Sequence, residues 1–147
     1  MRLLDVNLLV YATFSSMSRH AEAKRWLDAA MRGREQVAIP WETICGFVRL
    51  ASNPRVFSPC LSVAEAWRHA AAWLDCPCAW IPSPTPRHRE ILSELLALPG
   101  MTHKLVADAQ LAALALEHGL VLCSADDDFR FFPGLRFENP ISSPRSK

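Results

Sequence analysis

The chain has 147 residues, 50% of them hydrophobic and 21% charged, with five cysteines and a formal net charge of +1 at pH 7. This composition predicts a single globular domain with a substantial core. No apolar run approaches the ~20 residues of a membrane span, and the N-terminus has the pattern of a strand rather than of a signal peptide, so we expect no membrane association and a cytoplasmic protein. The odd number of cysteines argues against a disulfide framework, and Cys76-Pro77-Cys78 lacks the second ligand pair of a structural zinc site, so we expect reduced thiols, mostly in the core.

Strands and helices alternate from the N-terminus onward. Apolar runs of a few residues predict buried strands, and apolar residues at i, i+3, i+4 and i+7 predict amphipathic helices. The predicted elements are a strand at 3–10 that presents Asp5 and Asn7, a helix with Ala23, Trp26, Leu27, Ala30 and Met31 inward that ends at Gly33, a strand at 37–39, and a helix after Pro40 and Trp41 with Phe47, Val48 and Ala51 inward that ends at Ser52-Asn53-Pro54.

The same alternation continues to the last strand. Ser62 and Glu65 have the spacing of a capping box, and Gly119 has the position of a helix terminator. The predicted elements are a helix with Val63, Ala66, Trp67, Ala70 and Leu74 inward, a strand at 80–81, a helix opened by Thr85-Pro86 with Ile91, Leu92, Leu95 and Leu96, a helix at 104–118, and strands at 120–123 and 135–137. This order predicts a three-layer α/β/α fold with a mainly parallel sheet over residues 1–139, followed by a flexible tail at 140–147.

Acidic residues follow three of the predicted strands. Asp5, Glu42 and Asp126 each lie at or just beyond a carboxyl end, which is where open parallel sheets bind their ligands. For any one of them, a helix cap or a turn is the simpler interpretation. Their coincidence favours one shared crevice.

Asp108 lies on the apolar face of the predicted helix at 104–118, nearly opposite Gln110 and Glu117, which mark the solvent side. A carboxylate on such a face is unfavourable unless it is paired or binds a metal. An ion pair with Lys104, or with an arginine from elsewhere, is the alternative. A metal site accounts for Asp108 and the nearby acidic run together.

The acidic run itself comprises Asp126, Asp127 and Asp128. Two carboxylates about 4 Å apart repel by about 4 kcal/mol at an effective dielectric constant of about 20, so clustered acids neutralise, separate or bind a cation. Oxygen ligands without histidine or cysteine suit Mg²⁺ or Mn²⁺. One or two such ions can activate a water and neutralise phosphate charge, which favours hydrolysis of a phosphodiester. With the site acids set aside, the remaining charge is basic and suits a polyanionic partner.

Four other polar residues are candidates for supporting roles. Asn7 can orient a ligand or phosphate or serve a turn, and Ser124 can bond a carboxylate or a water or cap the acidic turn through Asp127. Arg49 and Arg55 are candidates for phosphate contacts, although surface arginine is common. The histidines expected at the surface are His20, His69, His88, His103 and His118.

An ordered set of segments runs nearly the length of the chain: Leu4-Asp5-Val6-Asn7, Glu42 with Gly46-Phe47-Val48-Arg49, Asn53-Pro54-Arg55-Val56-Phe57, Leu105-Val106-Ala107-Asp108-Ala109, Ser124-Ala125-Asp126-Asp127-Asp128-Phe129, and Phe132-Pro133-Gly134-Leu135. In these segments the chain resembles the PIN-domain ribonucleases, and among them the VapC toxins of bacterial toxin–antitoxin modules. The resemblance implies an endoribonuclease that depends on Mg²⁺ or Mn²⁺, is usually a homodimer, and is inhibited by a cognate VapB-like antitoxin.

The resemblance also assigns residues. It matches Asp5, Glu42, Asp108 and Asp126 to the acidic quartet of the family and Asp128 to an additional acid seen in many members. Two positions depart from the family: Asp127 stands where Arg or Lys is frequent, and Ser124 stands where Thr is commoner. Neither departure removes a ligand.

We therefore predict a metal-dependent endoribonuclease that cleaves structured RNA such as tRNA or rRNA. The catalytic residues expected are Asp5, Glu42, Asp108 and Asp126; the metal ligands expected are Asp5, Asp108, Asp126 and Asp128; Asn7 and Ser124 would support them, and Arg49 and Arg55 would bind RNA. A receiver domain needs adjacent acids after its first strand, and a dehalogenase-type phosphatase needs Asp-x-Asp where this chain has Asp5-Val6-Asn7. The remaining alternative is a non-catalytic PIN-fold module that binds RNA or protein, in which one or more of the acids would be missing.

Overall fold

The described part of the chain contains one sheet of five short strands, and each strand is parallel to its neighbours. The computed structural model describes residues 1–142. The strands are β1 (Arg2–Leu4), β2 (Val37–Ala38), β3 (Ala79–Trp80), β4 (Val121–Cys123) and β5 (Phe137–Glu138), in the spatial order β3-β2-β1-β4-β5. In the central register, Leu3 lies beside Ala38 of β2 and Leu122 of β4. The strand that begins the chain is therefore the middle of the sheet.

Within residues 1–142, six α-helices cover the two faces of this sheet. They are α1 (Val6–Thr13), α2 (His20–Arg32), α3 (Trp41–Ala51), α4 (Val63–Leu74), α5 (His88–Leu96) and α6 (Val106–His118), with 3₁₀ turns at His103–Leu105 and Asp127–Phe131. Successive strand residues point to opposite faces: Leu4 and Cys123 pack in the layer of α1 to α4, whereas Leu3 and Leu122 pack in the layer of α5 and α6. The predicted three-layer α/β/α fold with a parallel sheet is confirmed.

Two of the predicted helix boundaries rest on local chemistry that the structure confirms. The Ser62 hydroxyl accepts a hydrogen bond from the Glu65 amide (3.0 Å), and the Glu65 carboxylate accepts one from the Ser62 amide (3.4 Å), which completes the capping box of α4. Gly119 ends α6 at φ +66°, a left-handed conformation that a glycine adopts without a Cβ clash.

The predicted strand at 3–10 is wrong beyond Leu4. The strand β1 ends there, and α1 begins two residues later. Leu8, Leu9 and Val10 are all buried, so this run does not alternate, and a continuous apolar run fits a buried helix as well as a buried strand. The deciding signal is Asp5, whose carboxylate accepts a hydrogen bond from the Val6 amide (2.8 Å) and caps α1.

The inward face predicted for α4 is also partly wrong. Ala66 and Ala70 are buried, but Val63 and Trp67 are 63% and 46% exposed. The helix packs through Ala66 and Ala70, so the larger side chains of Val63 and Trp67, on the adjacent side of the helix, remain exposed to solvent.

Glu117 and His88 are more buried than the helical periodicity indicated. The Glu117 side chain is fully buried; it accepts a hydrogen bond from the Thr85 amide (2.6 Å) and contacts Nδ1 of His88 (2.5 Å), whose side chain is 17% exposed. The helical wheel considers α6 alone, so it does not show that Thr85 and His88, from α5 and the segment before it, cover Glu117.

Most of the expected C-terminal tail lies outside the described residues, and the cysteines differ in how deeply they are buried. Of the tail expected at 140–147, residues 143–147 lie outside the described residues, whereas the side chain of Ile141 is buried in the core. All five cysteines are free, but only Cys78 and Cys123 are fully buried. Across the described residues, none of the helices combines the length and the apolar character that crossing a membrane requires.

Candidate active site

The candidate site lies at the carboxyl ends of the three middle strands. Asp5 directly follows β1, Glu42 lies in the first turn of α3 shortly after β2, and Asp126 lies three residues after β4. Since β2, β1 and β4 are adjacent and parallel, their carboxyl ends share one edge of the sheet. The connection from β1 leads to β2 on one side, the connection from its neighbour β4 leads to β5 on the other side, and ligands of open α/β folds bind at such a switch point.

Asp5 is held by two hydrogen bonds. Its Oδ1 accepts from the Val6 amide (2.8 Å), and its Oδ2 accepts from the Ser124 hydroxyl (2.8 Å). Burial raises the pKa of this carboxyl, the two hydrogen bonds oppose the rise, and the negative charge of Asp126 adds to it. The carboxylate is therefore fixed in orientation while its charge is poorly compensated.

Ser124 connects the first strand to the acidic turn. Its side chain is fully buried. Its Oγ accepts hydrogen bonds from the Asn7 amide group (3.0 Å) and from the Asp126 backbone (3.0 Å) while it donates to Asp5. Asn7 in turn accepts from the Ala125 amide (3.1 Å). Ser124 thus bonds Asp5 and the backbone of Asp126 rather than that of Asp127, whereas Asn7 bonds Ser124 and the Ala125 backbone and, within residues 1–142, bonds no acid directly.

The three consecutive aspartates have different environments. Asp126 caps the 3₁₀ turn, because its Oδ1 accepts from the Asp128 amide (2.9 Å). Asp127 is exposed and contacts Asn139 (3.4 Å) and Arg130 (3.5 Å). Asp126 and Asp128 both act electrostatically on Asp108, whereas Asp127 is not among the acids that do so. Asp127 therefore makes its contacts outside the group of acids that act on Asp108.

Glu42 is positioned by two residues that the sequence did not indicate. Thr43 is buried, and its hydroxyl donates to the Leu4 carbonyl (2.8 Å), which ties the start of α3 to the end of β1. Gln110 of α6 donates from Nε2 to Oε1 of Glu42 (3.1 Å) and so bridges the two helices. Gln110 is exposed, as predicted, but it lines the cleft rather than marking a surface remote from it.

Asp108 lies in the first turn of α6, not in mid-helix, since residues 103–105 form a 3₁₀ turn before the helix. Burial raises its pKa to about 6, and the charges of Asp5, Asp126 and Asp128 contribute to the rise. Among residues 1–142 no cation forms an ion pair with Asp108, so the alternative pairing with Lys104 is not observed.

All four acids of the predicted quartet lie at the N-terminal ends of helical segments. Asp5 and Asp126 are caps, and Glu42 and Asp108 occupy first turns. A helix N-terminus carries about half a positive elementary charge, which partly offsets each carboxylate. Asp5 and Asp126 thus do cap helical segments, as the simpler interpretation of the sequence proposed, and they also lie near the other acids.

A cleft of about 250 Å³ opens beside Asp5, Glu42 and Asp108, whereas Asp126 and Asp128 are not part of its lining. Its lining includes Asp5, Glu42, Gly46, Arg49, Asp108 and Gln110. Arg49 therefore lies at the site, whereas Arg55 lies in the turn after α3 and is not part of this lining.

The donor set consists of carboxylate oxygens. Within residues 1–142, no three His, Cys, Asp or Glu side chains lie close enough together to hold one ion as they stand. Mg²⁺ is usually held by only one or two carboxylates and keeps several waters, so this spacing is compatible with such an ion. Burial, with a smaller contribution from neighbouring acids, raises the pKa of both Asp5 and Asp108, and a hard divalent cation would favour their ionised forms there.

The chain is similar to known proteins over nearly its whole length. The sequence model of the PIN domain matches residues 2–135. Ribonuclease VapC37 of Mycobacterium tuberculosis is 39% identical over 140 residues, which are 95% of this chain and 97% of that protein. Ribonuclease VapC33 of the same species is 31% identical over 137 residues, 93% of this chain and 96% of the relative.

Solved structures share the fold. The VapBC2 complex of Rickettsia felis, bound to a DNA fragment from its promoter, contains a chain that superposes with a TM-score of 0.70 at 17% identity, covering 94% of this chain and 97% of that one. VapC20 of M. tuberculosis, described as a sarcin-ricin loop cleaving toxin, superposes with a TM-score of 0.67 at 17% identity over 89% and 94% of the two chains. The match to the PIN-domain model and the identity to curated relatives over nearly their full length show that this chain belongs to the PIN-domain family, in its VapC group.

Proposed function

We propose that this protein is the toxin of a toxin–antitoxin module and acts as a metal-dependent endoribonuclease. The observation that carries the proposal is the convergence of carboxylates from four helix N-termini without a cationic partner for Asp108 in residues 1–142. An arrangement that raises the pKa of its own acids is unfavourable for folding alone, and a bound cation would relieve it. The relatives named as VapC ribonucleases support RNA as the substrate.

The proposed roles follow from where each acid is held. Asp5, Asp108, Asp126 and Asp128 would bind Mg²⁺, or Mn²⁺ in its place. When bound, such an ion supplies charge neutralisation at a phosphate and lowers the pKa of a water.

Glu42 is the remaining acid of the proposed catalytic set, which comprises Asp5, Glu42, Asp108 and Asp126. Its Oε1 is engaged by Gln110, which leaves Oε2 to accept a proton from the attacking water. Arg49, in the lining of the cleft, would contact an RNA phosphate. Arg55 would contact the RNA outside the cleft.

We also propose structured RNA, such as tRNA or rRNA, as the substrate, and a VapB-like antitoxin and a second copy of this chain as partners. Solved neighbours that are toxin–antitoxin complexes support the antitoxin partner, and one neighbour described as a sarcin-ricin loop cleaving toxin supports structured RNA. The second copy of this chain is proposed from the family resemblance alone. Light scattering of the purified chain, alone and with the product of an adjacent antitoxin gene, tests the two partners.

The decisive experiment compares wild type with Asp5→Asn on total bacterial RNA in Mn²⁺, in Mg²⁺ and in EDTA. We expect defined RNA fragments from wild type only, and only with metal, and mapping their ends would identify the substrate. If wild type and Asp5→Asn both leave the RNA intact, the proposal fails.

One observation favours a second candidate, a non-catalytic PIN-fold module that binds RNA or protein: no three acids among the described residues are grouped tightly enough to close on one ion. The candidates differ in metal binding. The enzyme should show a Mn²⁺-dependent rise in Tm that disappears in Asp108→Ala, whereas the binding module should show no rise at millimolar metal.

A further inference from the structure

Trp41 is an exposed tryptophan that immediately precedes Glu42 of the acidic cleft and is not itself part of the cleft lining. It is the first residue of α3, and it is 51% exposed. Within residues 1–142 its indole forms no hydrogen bond or ring contact. In contrast, Trp73 packs edge-on against Phe47 with ring centroids 4.8 Å apart, and Trp80 packs against His118 at 5.5 Å.

The fold does not account for this side chain. The start of α3 is held by Thr43, whose hydroxyl bonds the Leu4 carbonyl (2.8 Å), and its burial comes from Ile44 and Phe47. About half of the indole surface stays in contact with water, so its burial is incomplete, and no hydrogen bond or ring contact among the described residues fixes its orientation.

The exposed side of α3 carries a second feature. Trp41, Cys45 and Arg49 follow one another at intervals of four residues and are all exposed, so they lie along one face of the helix. At a rise of about 1.5 Å per residue, Trp41 and Arg49 are about 12 Å apart along the axis. Glu42 and Arg49 line the cleft. This edge of the site thus has an aromatic face at one end, a cation near the other, and a carboxylate beside the aromatic residue.

That combination is typical of surfaces that bind single-stranded nucleic acid, where bases stack on aromatic side chains and cations track the backbone. Building on the function proposed above, we propose that Trp41 stacks on an unpaired nucleobase next to the scissile phosphate while Arg49 contacts the backbone beyond it. The enzyme then selects RNA whose cleaved bond lies in a loop or bulge. Stacking tolerates any base, so Trp41 would select unpaired structure rather than sequence.

Kinetics on a stem-loop transcript that spans the mapped cleavage site test this role. Trp41→Ala should lower kcat/KM about 5- to 100-fold, mainly through KM, and Trp41→Phe should retain most of the activity. Trp67→Ala is the matched control, because Trp67 is similarly exposed, at 46%, but lies on α4, a helix that contributes no residue to the cleft lining. Both alanine variants should keep their Tm within about 2 °C of wild type.

An abasic substitution distinguishes stacking from a structural role. Removing the base next to the cleaved bond should slow wild type and leave Trp41→Ala no slower than it already is. Equal losses for both proteins, or an unchanged kcat/KM in Trp41→Ala, would overturn the inference. A change in oligomeric mass for Trp41→Ala with unchanged cleavage would instead assign this face to an interface between copies.

Photo-crosslinking separates failure of this inference from failure of the proposed function. A pool of RNA labelled with 4-thiouridine should crosslink to the peptide containing Trp41 in Asp5→Asn, in which cleavage is blocked. If wild type cleaves RNA but no crosslink reaches this peptide, the stacking role is wrong and the ribonuclease proposal stands. If wild type cleaves nothing yet Trp41 crosslinks, the chain binds RNA here without cutting it.

Discussion

Replacing Asp108 with asparagine should make the metal-free protein more stable at neutral pH. The carboxylate has a pKa raised to about 6, from an ordinary value of 3.8, by burial and by the charges of Asp5, Asp126 and Asp128. A folded-state pKa above the unfolded value means that folding favours the protonated form. The contribution of Asp108 to stability is therefore present below about pH 4 and is lost as the pH rises through about 6.

The size of the effect follows from this rise in pKa. If the whole rise in the pKa of Asp108, from 3.8 to about 6, is converted to free energy, the ionised form destabilises the fold by about 3 kcal/mol at neutral pH. Asp108 is only partly buried, and solvent screening reduces this figure to about 1–2 kcal/mol. Because Asp108 lies in the first turn of α6, the helix dipole stabilises its negative charge by about 0.5 kcal/mol, and the asparagine variant loses this stabilisation. We expect a net gain of about 1 kcal/mol, or about 2–5 °C in Tm.

Thermal unfolding followed by circular dichroism in EDTA at pH 7.5, 5.5 and 4 measures this gain. The difference between Asp108→Asn and wild type should be largest at pH 7.5 and vanish near pH 4. Glu94→Gln is the matched control, because Glu94 is exposed on α5 and its substitution should change stability by no more than about 0.5 kcal/mol at any pH. Adding Mn²⁺ should stabilise wild type more than the variant. A variant that is less stable than wild type in EDTA at pH 7.5, or a difference that does not depend on pH, would refute the electrostatic reasoning.

Three other substitutions separate the roles of individual contacts. Ser124→Ala removes a fully buried hydroxyl that bonds Asp5, so the free energy of unfolding measured in urea should fall by about 1–3 kcal/mol. Metal titration of this variant should show weaker binding. If neither quantity changes, Ser124 does not connect Asp5 to the acidic turn. Gln110→Ala releases an exposed bond to Glu42, so kcat should fall about fivefold with Tm within about 2 °C, as measured by single-turnover cleavage. Glu117→Ala removes a buried acceptor far along α6 from Asp108, so stability should fall by about 2–4 kcal/mol while the rise in Tm with Mn²⁺ persists.

The elements that were predicted correctly are those in which local chemistry and periodicity agree. The helix that ends at Gly33, the capping box at Ser62 and the left-handed Gly119 are each determined by residues within one or two turns. The predicted first strand was too long because Leu8, Leu9 and Val10 form a continuous apolar run, a pattern that does not distinguish a buried strand from a buried helix. There the capping contact of Asp5 decided the outcome.

The candidate site shows the same division. Asp5, Glu42 and Asp126 could be singled out because they coincide at the carboxyl ends of predicted strands, and Asp108 because a carboxylate on an apolar helix face is unfavourable unless it is paired or binds a metal. Asn7 and Ser124 could be singled out because they accompany these acids. Thr43 and Gln110 could not be found this way, since a threonine at a helix start and a glutamine on an exposed helix side are ordinary. Their partners, the Leu4 carbonyl and Glu42, lie 39 and 68 residues away in the chain.

The sequence by itself determined which residues are acidic, which strands precede them, and that parallel strands bring their carboxyl ends to one edge. Only the tertiary structure decided how the charges interact, because the pKa of Asp108 depends on burial and on acids from β1 and from the turn after β4. It also placed Asp127 apart from its neighbours, through contacts with Arg130 and Asn139, and left Trp41 exposed beside Glu42. Burial and through-space electrostatics are properties of packed elements, and no local pattern specifies them.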